Sequence, residues 1–226
     1  MKNTKTALIA GSTGLVGREL LLLLIDDTSY DKIIALVRKE TGYRHEKLIQ
    51  VVTDFNDLNN IAQHFVGVDD VFCCLGTTMK NAGSKEAFKK VDFEYPVALA
   101  ELAEKNSCQG FYCISAMGAD KNSRLFYNRV KGQMEEKVSG MKISSICFFR
   151  PSLLIGYREE VRVGERIAIS LFRALAFIFW GPLKNLKGIT AFKVASAMKQ
   201  SAMDTQEGVK IILSGAMQEV LLIKIS

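Results

Sequence analysis

The stretch that most limits what this chain can become lies at its beginning: Thr6-Ala7-Leu8-Ile9-Ala10-Gly11-Ser12-Thr13-Gly14-Leu15-Val16-Gly17-Arg18-Glu19-Leu20. An apolar run opens into a glycine loop and then into an amphipathic segment, which reads as strand, loop and helix. Glycines at 11, 14 and 17 permit a tight turn, a close approach of backbone to a pyrophosphate, and close packing of helix on strand. The helix N-terminus adds free N–H groups and a partial positive charge. The spacing is G-x-x-G-x-x-G, not the standard G-x-G-x-x-G, and three glycines among 17 would be a weak signal alone. Their position between an N-terminal strand and a helix is what makes a dinucleotide site the expectation.

The sequence then alternates apolar runs with amphipathic segments, the pattern of a Rossmann-type doubly wound parallel sheet. Lys32–Val37 reads as the second strand and ends in Arg38-Lys39. In such a sheet this end meets the adenosine ribose, where an acid holds the 2′-hydroxyl of NAD and a base holds the 2′-phosphate of NADP. The residues here are basic, although two solvated loop cations would look the same. Leu48–Val52 is a third strand, followed by Thr53-Asp54-Phe55 and a helix over Asn56–Phe65. Asp54 and Phe55 suit an adenine amine and ring face, while an Asp at a helix N-cap is the commoner use. Val71–Leu75 is the fourth strand, leading to Gly76-Thr77-Thr78 across the switch point. One long helix is expected over Lys85–Lys105, kinked at Pro96. Phe111–Ile114 is the fifth strand, ending in Ser115-Ala116-Met117-Gly118.

The next helix is expected to begin at an Asn122-Ser123 cap and end by Gly140. Phe126, Val130, Met134 and Val138 recur on it at four-residue steps, a core stripe. Beside the stripe stand Tyr127 and Lys131, four residues apart and therefore on one face, which lets an ammonium act on a phenol. A half-buried aromatic and a solvated lysine are the plainer reading of the same two residues. Ile143–Phe149 is the sixth strand. Beyond about 150 a small C-terminal cap is expected, with Ala191–Met203 as a helix and Val209–Leu213 as a final strand. Ile167–Trp180 is strongly apolar but shorter than the roughly 20 residues a bilayer requires, so it reads as a buried or substrate-covering helix before a membrane-surface one.

At 226 residues with no linker or repeat, the chain reads as one domain over 1–226. The net charge of +6 comes from scattered Lys and Arg with no basic run and no aromatic interleaving, which argues against nucleic acid and suits an anionic cofactor. His45 and His64 stand apart in polar surroundings, so no metal is expected. The five cysteines form no C-x-x-C pair, and no signal segment precedes the first strand. A reducing, cytoplasmic location follows as the expectation.

Four stretches carry a resemblance: Cys73-Cys74-Leu75-Gly76-Thr77-Thr78, Met117-Gly118-Ala119-Asp120-Lys121, Phe126-Tyr127-Asn128-Arg129-Val130-Lys131-Gly132 and Arg150-Pro151. With the glycine loop, they make the chain resemble an atypical short-chain dehydrogenase/reductase, in particular the Tat-interacting-protein-like oxidoreductases, over residues 5 to about 165. The resemblance implies NADPH held by Thr13, Gly14, Leu15 and Val16, by Arg38 and Lys39 at the 2′-phosphate, and by Leu75 and Gly76. It also implies contacts from Tyr127, Lys131, Leu154 and Arg162, with Tyr127 as proton donor or acceptor and Lys131 as its helper. The chain departs from the pattern at Ala116, where relatives often carry the second of two serines that polarises the substrate. Ser115, Thr77 or Thr78 is left to supply that hydroxyl. An NADPH-dependent oxidoreductase of a small carbonyl or alcohol is the first reading, and an NADPH-binding regulator with little turnover is the second.

Overall fold

The computed structural model describes residues 4–56, 58–155, 188–204 and 206–219. Among these, seven strands form one parallel sheet in the order β3-β2-β1-β4-β5-β6-β9. They are β1 (Lys5–Ala10), β2 (Tyr30–Val37), β3 (Leu48–Val52), β4 (Asp70–Cys73), β5 (Gly110–Ile114), β6 (Ser145–Arg150) and β9 (Gly208–Leu213). The order reverses between β1 and β4, so the carboxyl ends of these two neighbours flank the crevice in which such sheets bind ligands. A parallel sheet must be covered on both faces, and alternating side chains on each strand feed two cores. Ala7, Ile9, Phe72, Tyr112 and Phe149 face one side with α1 (Leu15–Ile25) and α7 (Ala191–Met203). Leu8, Ala10, Cys73, Phe111, Cys113 and Phe148 face the other, with α5 (Tyr95–Lys105) and α6 (Phe126–Ser139).

The expected long helix over 85–105 is three segments. The α4 helix (Lys85–Lys89) passes into a wide π-helical turn at Lys90–Glu94 and then into α5. Pro96 therefore does not kink a helix. It sits in the first turn of α5, where its missing N–H costs nothing, and the wide turn before it takes up the irregularity. The helix expected over 56–65 is shorter too: α2 (Leu58–Ala62) runs into one 3₁₀ turn. A short α3 (Met79–Ala82) follows β4. The α6 helix starts at Phe126, after the expected cap, because Ser123 Oγ accepts the Leu125 N–H in a preceding turn. Past residue 150, β9 joins the sheet, α7 packs on α1, and α8 (Ser214–Glu219) follows. Among the described residues after 150, β9, α7 and α8 thus belong to the main layers. A two-stranded parallel ribbon, β7 (Leu154–Ile155) with β8 (Ile189–Thr190), stands outside the sheet. Arg162 and the Ile167–Trp180 segment lie outside the described residues.

Candidate functional site

The glycine loop follows from β1 meeting α1 at close quarters. Gly11 has φ +86°, and a Cβ there would come within 2.8 Å of the Cys74 carbonyl group, so only glycine fits between the loop and the end of β4. A Cβ on Gly17 would overlap the Gly11 carbonyl oxygen and lie 2.8 Å from its carbon; this glycine lets α1 pack against the loop. Gly14 differs. It is exposed and extended at φ −76°, and an added Cβ would meet only the Gly11 oxygen, at 3.3 Å, so the space on its outer side is open. Gly14 is also the N-cap residue of α1 and supplies no side-chain cap, which leaves first-turn N–H groups available to an anion. Thr13 is exposed and Leu15 half-buried, while the Val16 side chain is in the core, so Val16 can offer only its backbone. The cradle fits a pyrophosphate: open space, uncapped N–H groups, and no carboxylate in the first turn of α1.

The other expected cofactor contacts gather along the same carboxyl rim. Arg38 and Lys39 are exposed immediately after β2. Leu75 is half-buried and Gly76 exposed just past β4, and Leu154 lies beyond β6. Asp54 is exposed after β3, where its carboxylate accepts the Asn56 backbone N–H at 2.9 Å and the Asn56 side-chain amide at 3.1 Å, so it organises its own turn. Phe55 is not an open ring face for adenine. It is buried at φ +63° and packs on Tyr95 with ring centroids 5.4 Å apart.

Tyr127 and Lys131 do share a face of α6. Gly132 brings that helix in close, since a Cβ there would lie 2.6 Å from the Asp120 Cα. Tyr127 retains 38% exposure with its ring against Phe88, at 5.4 Å between centroids. Lys131 is buried, and its ammonium lies 2.7 Å from Oδ1 of the equally buried Asp92. Burial alone would push the lysine down, but Asp92 more than offsets this and holds it firmly protonated. The field of Lys131 alone would lower the phenol, but the net shift is upward. Burial pushes the Tyr127 pKa up, Lys131 pulls it down, and Asp92 pushes it up again, with a net rise. The ammonium is already compensated by a carboxylate that the sequence reading did not assign.

Asp92 had a signal nonetheless. Phe88, Asp92 and Pro96 stand at four-residue steps on the buried side of the 85–105 stretch, so an acid occupies a core position of an amphipathic helix. Its other oxygen accepts the Thr77 backbone N–H at 2.9 Å, tying the loop after β4 to α6. Of the three hydroxyls considered for the substrate, Thr78 Oγ1 caps α3 by accepting from the Asn81 N–H. Ser115 Oγ is buried with no hydrogen-bond partner among the described residues. A buried, unpaired hydroxyl is costly unless a ligand completes it, and this one stands at the end of β5, beside the Ile114 carbonyl to which Lys131 Nζ donates at 3.4 Å. Ala116 is buried and offers no polar group. Among the described residues no cluster of three or more His, Cys, Asp or Glu could hold a metal, and no helix is long and apolar enough to cross a membrane.

Residues 11–142 match a protein family described as NAD(P)H-binding. Protein HTATIP2 of Rattus norvegicus is 37% identical over 174 residues, 76% of this chain and 72% of that protein. Protein FMP52, mitochondrial, of Eremothecium gossypii is 32% identical over 213 residues, 92% and 93% of the two chains. Among solved structures, the Bordetella bronchiseptica enzyme WbmH in complex with NAD+ superposes with a TM-score of 0.69, covering 96% of this chain and 78% of that one. At 18% identity, that likeness speaks for the fold alone.

Proposed function

The chain belongs to the atypical short-chain dehydrogenase/reductase family of NAD(P)H-binding proteins, and from that premise we propose that it is an NADPH-dependent oxidoreductase acting on a small carbonyl or alcohol. One observation carries the reading: Lys131, on the face of α6 that bears Tyr127, reaches the Ile114 carbonyl at the carboxyl end of β5, next in sequence to Ser115, whose buried hydroxyl has no partner among the described residues. A module that only binds a nucleotide has no need of a buried ammonium beside a phenol. NADPH, when bound, supplies hydride to the carbonyl carbon. Gly11, Gly14 and Gly17 would shape its cradle, the N–H groups of Leu15 and Val16 would be available to its phosphates, and Arg38 with Lys39 would favour the 2′-phosphate.

The chain's own part is to hold and move a proton. Ser115 donates a hydrogen bond to the carbonyl oxygen and orients it. Tyr127 then gives its phenolic proton to that oxygen, and the phenolate so formed is stabilised by Lys131. A phenol kept in its protonated form by burial and by Asp92 is in the right state to act as an acid, which suits carbonyl reduction. Alcohol oxidation needs the phenolate and should therefore demand higher pH.

The regulatory reading draws on Ala116, which removes one of the hydroxyls this family often uses. A panel of aldehydes, ketones and quinones with NADPH absorbance as the readout separates the two: turnover supports the enzyme, while tight NADPH binding with none supports the regulator. The cytoplasm is the proposed location, because five free cysteines suit a reducing compartment.

A further inference from the structure

We propose that Asp92 is the positioning residue of this site: one carboxylate holds both the Lys131 ammonium and the Thr77 backbone N–H, and thereby fixes the charge against which Tyr127 ionises. The inference rests on the oxidoreductase reading but is tested without turnover.

The geometry is that of a built device. Asp92 and Lys131 are each nearly inaccessible, and their separation is 2.7 Å. Two such charges leave water only when each compensates the other, and removing one partner alone leaves the other buried and unpaired. The carboxylate comes from the π-helical turn at Lys90–Glu94, an irregular backbone of the kind often retained at functional sites. Its second oxygen takes the Thr77 N–H at 2.9 Å, and a Cβ on the neighbouring Gly76 would lie 3.5 Å from Oδ1. Asp92 thus spans three elements: the loop after β4, the turn before α5, and α6.

The groups that face Lys131 can be named from every side. Asp92 comes from the π turn, Tyr127 from its own helix, Cys113 from β5 and Cys73 from β4. The Ile114 carbonyl completes the shell. Cys73 and Cys113 are directly paired in register and share a thiol contact, which lowers Cys73 and raises Cys113. The charges that act on the phenol are one ammonium and one carboxylate. With both present the two oppose each other at Tyr127, the ammonium lowering the phenol and the carboxylate raising it. With the carboxylate gone, the phenol and the ammonium share an uncompensated buried positive charge, and the first proton leaves that pair at lower pH whichever group releases it.

The test is a tyrosinate absorbance titration of the apoprotein, with the Tyr127→Phe protein subtracted to isolate one phenol; thiolates do not interfere at the tyrosinate band. Asp92→Asn keeps an acceptor for Thr77 but removes the charge. Its Tyr127 limb is expected to move to lower pH by about one to three units, the usual reach of one close charge, and the alkaline-side limb of carbonyl reduction should follow it. Asp92→Glu keeps the charge and should leave the limb near that of the unaltered protein. If Asp92→Asn proves too unstable to titrate, Lys131→Met is compared with the Asp92→Asn/Lys131→Met double variant; the limb must be lower in the double. A limb unmoved by loss of the Asp92 charge in either comparison overturns the proposal and leaves the pair as packing only. Because neither cofactor nor substrate is present, failure to find a substrate would bear on the oxidoreductase reading and not on this result.

Discussion

Two glycines three residues apart in the same loop should fail in opposite ways. For Gly17, any side chain meets the Gly11 carbonyl inside van der Waals contact. Both partners are backbone, so α1 must move away from β1, and Val16, Leu20, Leu21 and Leu24 move with it out of their core. Forcing extra volume into a packed core costs about 1–3 kcal/mol, and a shift of a whole helix belongs at or above the upper end. At about 2–4 °C per kcal/mol for a chain of this size, Gly17→Ala should lower Tm by roughly 6–12 °C. Gly14 has room: its backbone is in a region open to any residue, and its nearest neighbour would be 3.3 Å away. Gly14→Val loses a tolerable N-cap for a poor one, about 1 kcal/mol, yet its branches occupy the outer side of the loop where phosphates must lie. Losing one charge-assisted contact costs about 1.5–3 kcal/mol, so NADPH affinity should fall at least ten- to a hundredfold. Thermal denaturation without cofactor and calorimetry with it read the two effects separately. A Gly17→Ala protein with unchanged Tm, or a folded Gly14→Val protein that binds NADPH as before, would refute this account of the loop.

Other outcomes follow from the same geometry. The unaltered protein should prefer NADPH over NADH by about ten- to a hundredfold, and Arg38→Ala should narrow that preference, by calorimetry with both cofactors; equal affinities in the unaltered protein would remove the 2′-phosphate assignment. Gly132→Ala should push α6 off the Asp120-Lys121 backbone and reduce both stability and turnover, since Tyr127 and Lys131 ride on that helix; denaturant titration and rates measure this. Burial raises Asp27, but hydrogen bonds from Lys199 at 2.7 Å and the Ser29 N–H at 2.8 Å bring it down to about 2 in the folded protein. An unfolded Asp titrates near 3.9, so this contribution is complete above about pH 4 and is lost as pH falls through about 2. Asp27→Asn should flatten the fall in Tm over that window, and an unchanged acid limb would show that the pair contributes nothing.

Much of the fold was legible because a parallel sheet writes itself in apolar runs. The third strand, the seventh strand and α7 fall where periodicity puts them, and the carboxyl ends of β1, β4, β5 and β6 meet where the strand order requires. What periodicity missed was local. A proline inside a helical pattern has two solutions, a kink or a new first turn, and the wide turn at 90–94 that relieves Pro96 has no sequence period of its own. The Asn122-Ser123 cap was lost to a competing turn held by Ser123 Oγ. In the site, Tyr127 and Lys131 were readable from their spacing, since four residues on a helix is a local relation. Asp92 was not, because it reaches Lys131 from 39 residues away in sequence, and only the sheet brings the two together. Burial of the phenol is the main reason its pKa rises, and Asp92 adds to it.

The most direct measurement sets the unaltered protein beside Tyr127→Phe, with the best carbonyl of a broad panel and with NADPH binding measured in parallel. The substitution removes one oxygen from a ring that keeps its place against Phe88. The account predicts NADPH affinity within a few-fold of the unaltered protein and a loss of turnover of about two to four orders of magnitude. An unchanged rate in Tyr127→Phe would contradict it.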